Sequence, residues 1–286
     1  MLKNYLILIF VVSLFAHCAN ENKQKNNFDD DPKHGTIYIS VDESFKPVIE
    51  QQIKVYQSSY PDAHIIVSYK SEVDCFKDLM KDSTRMIIVA KGLTKDEREY
   101  FENNISIKPQ YAELAYDAVS AIVNINCKDS VFTFNALRDI VSGKKKTTVI
   151  MDGKNATSTV RFLQDSLLKG LPFGDNVVAV NGSDAVIEAV KQNENAIGFV
   201  GSSWVGNITE PKQKEDLKKI RLALVECVKC LEKDVFAKPS QSTVTFGQYP
   251  LARPVIFILK ENWTGLGTGF TNFMSLERGQ LIFRRS

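Results

Sequence analysis

The chain is poor in the residues that carry most catalysis. It has only three histidines among 286 residues. His17 falls in an apolar leader, His34 at the edge of a polar stretch, and His64 opens an apolar run and reads as a structural residue. No G-x-S-x-G, H-E-x-x-H or Walker loop occurs, and no nucleophile stands at a recognisable spacing from a base. This excludes the familiar hydrolase and nucleotidase signatures, and the reading is of a protein that is not an enzyme and needs no cofactor. Charge of one sign is also missing: 36 Lys and Arg against 34 Asp and Glu leave a formal net charge of +2. With no zinc-finger or aromatic-basic pattern, nothing predicts a nucleic-acid partner. Cysteine is sparse, at five. Cys227 and Cys230 form a lone C-x-x-C with no second pair and no nearby His pair, so no metal site is expected; inert thiols and a local disulfide both stay open.

What is present is first a leader. Lys3 precedes an apolar run at 5–15, too short for a comfortable membrane span, and then Ala16, His17 and Cys18. A single Cys after such a core reads as the lipidation site of a bacterial lipoprotein, although His17 stands where a small residue is usual. Plain secretion and a retained anchor are the other readings. Residues 1–17 are then a signal peptide and 18–34 a tether, whose Asn, Lys and Asp cannot bury enough apolar surface to offset their ordering entropy.

From Gly35 strands and helices alternate. The runs 36–41 (TIYISV), 64–69 (HIIVSY) and 86–90 (MIIVA) read as strands, with helically spaced apolar residues between them. This β-α-β-α-β order predicts a parallel sheet covered by helices. Residues 109–124 are too long for one strand of a small sheet and read as a crossing to a second lobe. That lobe has strands at 148–151, 177–180, 196–200 and 221–225, and helices at 133–142, 157–169 and 183–192, with Ser183 as an N-cap. Residues 211–219 read as a charged loop, and 255–259 (VIFIL) as the returning strand. The fold class is thus α/β with two lobes, 35–118 with 254–286 and 119–253.

Two loops carry the chemistry. Asp42, Glu43 and Ser44 follow the first strand, and Asp152 through Ser158 follow the 148–151 strand, each at a helix start. Helix N-termini offer free N–H groups and a positive dipole end, a ready anion site. Ligands of open parallel sheets sit beyond the carboxyl ends of the strands. The same residue types are also ordinary caps. Ser71 after the second strand, Arg85 before the third and Arg161 in the second helix could add donors. A buried carboxylate there would accept the proton that phosphate keeps and sulfate lacks, so it would favour phosphate.

The segments VDESFKPVIEQQ, YKSEVDCFKDLM, DSTRMIIVAKGLT, DGKNATSTVRFLQDSLLKG, AIGFVGSSW and LGTGFTNFMSLERGQLIF resemble the PstS-like phosphate-binding proteins of bacterial phosphate ABC transporters, in their diverged lipoprotein branch. The resemblance runs from about Gly35 to the C-terminus. It implies a type II periplasmic-binding fold that closes on phosphate or a similar oxyanion. The implied partner is an ABC permease of the inner membrane, served by a monomeric lipoprotein facing the periplasm. It also implies a site formed by Asp42, Glu43, Ser44, Phe45, Ser71, Asn155, Ala156, Thr157 and Ser158. Better-known members have a Ser-Gly-Thr style loop where Asn155-Ala156-Thr157-Ser158 stands, and an Asp after the third strand where this chain has Ala90-Lys91-Gly92. The acidic acceptor is therefore expected at Asp42 or Glu43. The resemblance also implies that relatives continue with a further segment past the position of Ser286, so a shortened C-terminus is expected here.

Overall fold

The computed structural model describes residues 30–153 and 157–285. The leader, Cys18 and most of the tether, with Asn155 and Ala156 of the second loop, lie outside the described residues.

Strands β1 (Gly35–Asp42), β2 (Ala63–Lys70) and β3 (Thr84–Val89) are parallel, with β1 between the other two. Helix α1 (Lys46–Ser59) starts on a Pro in its first turn and buries Val48, Ile49, Gln52 and Tyr56 on one face. Helix α2 (Glu72–Leu79) is capped by Ser71, and α3 (Lys95–Tyr100) by a Thr94–Glu97 capping box before a wider turn at Phe101–Ile105.

The 15-residue β4 (Gln110–Asn124) is the long crossing strand that the sequence predicts. Its first part pairs with the late strand β12 (Ala252–Leu259), and from Val119 onward it pairs instead with β8 (Ala196–Gly201) and β9 (Ile220–Leu222). One curled sheet therefore runs β2-β1-β3-β12-β4-β8-β6-β7, with β6 (Thr148–Met151) and β7 (Val177–Ala179) at its far side. A small sheet joins β5 (Val131–Phe132), β10 (Leu224–Glu226) and β11 (Phe236–Ala237). The apolar core is split to match: one cluster centres on Ile37, Phe45, Met86 and Phe270, another on Val119, Leu163, Phe199 and Leu251. The architecture is the two-lobed α/β arrangement expected.

Helices α4 (Phe134–Val141), α5 (Ser158–Ser166) and α6 (Ser183–Gln192) cover the second half of the sheet. Four details differ from expectation. Helix α5 stops at Ser166 rather than at 169, where Lys169 takes a positive φ of 54°. The cap of α6 is Gly182 (φ 87°), which makes Ser183 the first helical residue. The 221–225 run divides into β9 and β10 at the buried Ala223, where the chain leaves one sheet for the other. The 211–219 stretch is no loop: it holds helix α7 (Pro211–Asp216), started by a Pro and by the Glu210 side chain accepting from the Gln213 N–H. Gln213 and Asp216 of α7 are buried, and Asp216 takes ion pairs from Lys191 and Lys212.

Helix α8 (Gln241–Thr245) precedes the return, and α9 (Leu266–Ser275) and α10 (Glu277–Arg285) pack back on α1, where Gln52 Nε2 donates to the Gly279 carbonyl at 2.8 Å. Cys227 and Cys230 are joined by a disulfide in the turn between β10 and β11, which decides between the two readings left open. Among the described residues no helix is long and apolar enough to cross a membrane.

Candidate functional site

The site starts where β1 ends. Asp42 caps a one-turn 3-10 helix, Glu43–Phe45, by accepting the Ser44 N–H at 3.0 Å. The second loop ends the same way: Thr157 caps α5 by accepting the Val160 N–H at 3.3 Å, and Ser158 is the first helical residue. The fold sets these two starts face to face. Ser44 Oγ and Ser158 Oγ lie 3.2 Å apart, both fully buried, 114 residues apart in the chain.

A single guanidinium joins them. Arg253 donates from Nη2 to Ser44 Oγ at 2.9 Å and from Nη1 to Ser158 Oγ at 2.9 Å, with Thr159 Oγ1 at 3.4 Å. Its Nε donates to Asp117 Oδ2 at 3.0 Å, and its face lies 4.9 Å from the centre of the Phe45 ring. Only 1% of Arg253 is exposed. A cation so buried survives only when paired and hydrogen-bonded. Asp117 provides the pairing and is itself held by the Ser202 N–H at 3.1 Å and Oγ–H at 2.6 Å.

Other contacts tie the two halves together. Asp42 accepts the Ser158 N–H at 3.3 Å as well as the Ser44 hydroxyl. Glu43 accepts from Ser183 Oγ at 2.8 Å and from its N–H at 3.2 Å, so a carboxylate from one half sits on the positive end of α6 in the other. Arg161 of α5 meets Glu72 of α2 in a forked pair, at 2.5 and 3.1 Å. Burial pushes the carboxyls of Asp42 and Glu43 above their ordinary values, against the downward pull of Arg253 on Asp42 and of Ser183 on Glu43.

The sequence therefore named Asp42, Glu43, Ser44, Phe45, Thr157, Ser158 and Arg161 at residues that the structure does bring to one junction. Two others it does not. Arg85 sits near the amino end of β3, paired with Asp30 at 2.7 Å and near Glu261 at 3.6 Å. Because β3 runs parallel to β1, that is the end opposite Asp42. Ser71 does stand at the Asp42 end of β2, where Lys70 is the register partner of Asp42, but its hydroxyl caps α2 and donates to Asp74 Oδ2 at 2.8 Å rather than joining the network. The sequence reading missed Arg253, Asp117 and Glu72. The signal for the first two is a lone charge inside an apolar strand, as in Leu251-Ala252-Arg253-Pro254-Val255 and in AYDAVSAIVN. Glu72 stands beside the position that lacks an Asp: its Oε1 accepts the Ala90 N–H at 3.0 Å.

Chemically, the junction offers a buried guanidinium, two seryl hydroxyls and two helix starts, a donor set suited to an oxyanion. Among the described residues no group of three or more His, Cys, Asp or Glu is arranged to hold a metal. An open groove of about 2000 Å³, lined by residues such as Arg138, Lys238 and Tyr249, reaches the edge of the junction at Ser202. It includes none of Ser44, Ser158 and Arg253, and the junction carries the denser chemistry.

Known proteins match in the same terms. The chain is 22% identical over 265 residues to the phosphate-binding protein PstS of Staphylococcus saprophyticus, covering 87% of this chain and 77% of that protein. It is 32% identical over 105 residues to phosphate-binding protein PstS 2 of Streptococcus pneumoniae, covering 37% of this chain and 29% of that one. Among solved structures, a chain from Clostridium perfringens, assigned as a phosphate ABC transporter substrate-binding protein and holding phosphate, superposes with a TM-score of 0.70 at 22% identity, covering 87% of this chain and 96% of its own. The OxyR2 regulatory domain of Vibrio vulnificus superposes at 0.57 with 8% identity over 85% and 96% of the chains, so the architecture alone does not separate transport from regulation. The family model of the PBP superfamily domain matches residues 27–277, and the chain belongs to that family.

Proposed function

We propose that this chain is an extracytoplasmic solute-binding lipoprotein that takes phosphate, or a similar oxyanion, between its lobes and delivers it to an ABC permease. The observation that carries the reading is Arg253, a buried guanidinium aimed at two seryl hydroxyls that begin helices in opposite halves. An oxyanion seated there would receive charge-assisted donors from both halves at once, so binding and closure would be one event. The PstS names of the relatives support phosphate as the solute and a binding role rather than catalysis.

We take the lobes as 35–118 with 254–286, and 119–253. Asp117 and Arg253, each beside a crossing, then form an ion pair at the hinge. Asp42, Glu43, Ser44, Phe45, Ser158 and Arg161 are proposed as site residues together with Arg253, and Asn155, Ala156 and Thr157 as the rest of the second loop. Cys18 is proposed as the lipidated residue and 18–34 as the tether. Arg85 and Ser71 are not retained, for the geometric reasons given.

A second reading, an anion sensor or interaction lipoprotein without high-affinity uptake, is favoured by one contact: Asp42 already occupies the Ser158 N–H. Calorimetric titration of the purified chain, stripped of bound anion, with phosphate and then sulfate separates the two. Tight phosphate binding without a matching sulfate response supports uptake. Binding of neither anion would sink it.

A further inference from the structure

The open groove of about 2000 Å³ runs behind the long crossing strand. Tyr116 and Ala118 of β4 line it, while Asp117 between them turns the other way, to Arg253. One wall belongs to the first half, at Phe283, Arg284 and Arg285 of α10. The other belongs to the second half, at Arg221 of β9 and around the Cys227–Cys230 disulfide turn. The charge of this lining is lopsided. Lys229, Lys233 and Lys238 stand near the disulfide, and with Arg221, Arg284 and Arg285 they form no ion pair among the described residues. Cations elsewhere do find partners, as Lys70 and Lys81 do on Asp78 and Lys191 and Lys212 on Asp216. Against the groove's cations stand Glu226, Glu232 and Asp234, and Glu226 is engaged by the Phe134 N–H at 2.9 Å. A cleft lined by one sign of charge focuses its field and concentrates the opposite sign. Two buried polar atoms of the lining also lack a hydrogen-bond partner among the described residues: Ser120 Oγ, on a fully buried residue, and Arg221 Nε. Such atoms mark places where a partner is wanted.

Size and apolar content choose among anionic partners. Small molecules fill pockets of roughly 300–1,000 Å³, so a groove of this size suits a stretch of polymer. Ile208 and Tyr116 line it with 70% and 60% of their surfaces exposed, and the exposed Val228 sits beside Lys229. A chain of phosphates would leave these apolar side chains wet. An acidic peptide that also carries aliphatic or aromatic side chains meets both the cations and the apolar surface. We propose that the groove is a second binding site, one that takes an acidic peptide segment of a partner protein with apolar side chains among its carboxylates. The site is separate from the oxyanion reading, since none of Ser44, Ser158 and Arg253 lines it.

The test selects peptides of about twelve residues, roughly 40 Å when extended, from a random display library on the purified full chain. The affinity of an enriched peptide is then measured. Enriched peptides should combine Asp or Glu with Leu, Ile, Val or an aromatic residue, and their affinity should fall as salt is raised. Lys233→Glu with Arg284→Glu reverses one exposed cation on each wall and should weaken the peptide by at least about tenfold. Lys54→Glu with Lys146→Glu makes the same change in charge outside the groove and should leave the affinity at its wild-type value. Thermal unfolding shows whether each pair is folded. Where the reversed pair is not, the neutral pair Lys233→Gln and Arg284→Gln and the salt dependence of the wild type carry the test. Enrichment of peptides with no acidic excess, an affinity untouched by the groove pair, or an equal loss from the outer pair overturns the inference. Equally tight binding of sodium polyphosphate overturns it too, by making the groove a site for any polyanion. So does binding to phosphatidylglycerol vesicles in place of peptide, which would make it a membrane face. Failure of the chain to bind phosphate is a different result: it sinks the oxyanion reading and leaves this inference standing.

Discussion

Arg253 and Asp117 are register partners on antiparallel strands β12 and β4, and their side chains form a buried ion pair at 2.9 Å. The pair crosses from one strand to the other just before β4 leaves β12 for β8. It fixes the guanidinium so that Nη2, which also faces Asp117, reaches Ser44 and Nη1 reaches Ser158. Replacing Arg253 by Ala should abolish phosphate binding and cost roughly 3–5 kcal/mol of stability, because it leaves Asp117 buried without its cation. Arg253→Lys should not restore binding, since one ammonium cannot reproduce the fork to two hydroxyls and a carboxylate. Titration calorimetry and denaturant unfolding of both variants check this.

Gly201 sets how closely the halves approach. A Cβ placed there would lie 2.5 Å from the Ser44 carbonyl oxygen, a backbone atom that cannot swing away. Gly201→Ala should therefore hold the junction open while leaving each half folded. The expected outcome is a larger radius of gyration in solution scattering with phosphate present and a loss of affinity of at least about tenfold, equivalent to about 1.4 kcal/mol. An unchanged radius and affinity would show that Gly201 is not a limiting contact.

The sequence made the architecture legible because the signals were local. The β-branched runs alternating with helical periodicity at 36–90 forecast β1 to β3, and the uncapped length of 109–124 forecast the crossing strand. The two loops of the junction were legible for the same reason, as cap residues directly after strands. Arg253 was not, because its meaning lies in partners 95 and 209 residues away and its own neighbourhood reads only as a buried strand. Arg85 misled through residue type alone. Its place at the amino end of β3, a strand parallel to β1, puts it at the wrong end, a topological fact that outweighs its charge. Helix α7 was hidden by its Lys and Glu content, which looks solvated until Lys191 and Lys212 converge on Asp216.

Glu72 and Arg161 lie 89 residues apart and carry charge across the junction. Glu72 is buried, whereas the Arg161 side chain keeps 31% of its surface exposed. Arg161→Ala should weaken phosphate binding more than Glu72→Gln does, since it strands a buried carboxylate while the reverse change leaves a half-exposed cation that solvent can reach. A double-mutant cycle on affinity should give a coupling of about 0.5–3 kcal/mol. A coupling near zero would mean that the pair forms only a local contact and takes no part in closure.

Stability should pass through a maximum with pH, and opposite carboxylates set its two limbs. Against the upward pull of burial, hydrogen bonds from Lys70, Lys81 and Ser40 hold Asp78 well below the ordinary carboxylate range. Its contribution is complete above the unfolded carboxyl value and is lost as pH falls through the folded one. Burial raises Asp42, and burial with repulsion from Asp42 and Glu43 raises Asp152 to about 8. Their contributions run the other way: complete below the unfolded value, lost as pH rises, and for Asp152 exhausted at about pH 8. Thermal unfolding of the anion-free chain across the acid and neutral range should therefore show Asp78→Asn flattening the acid limb. Asp152→Asn should flatten the fall in stability between the unfolded carboxyl value and about pH 8, and leave the limb below it in place. The reverse assignment, or parallel curves for both variants, would show that neither carboxylate governs its limb.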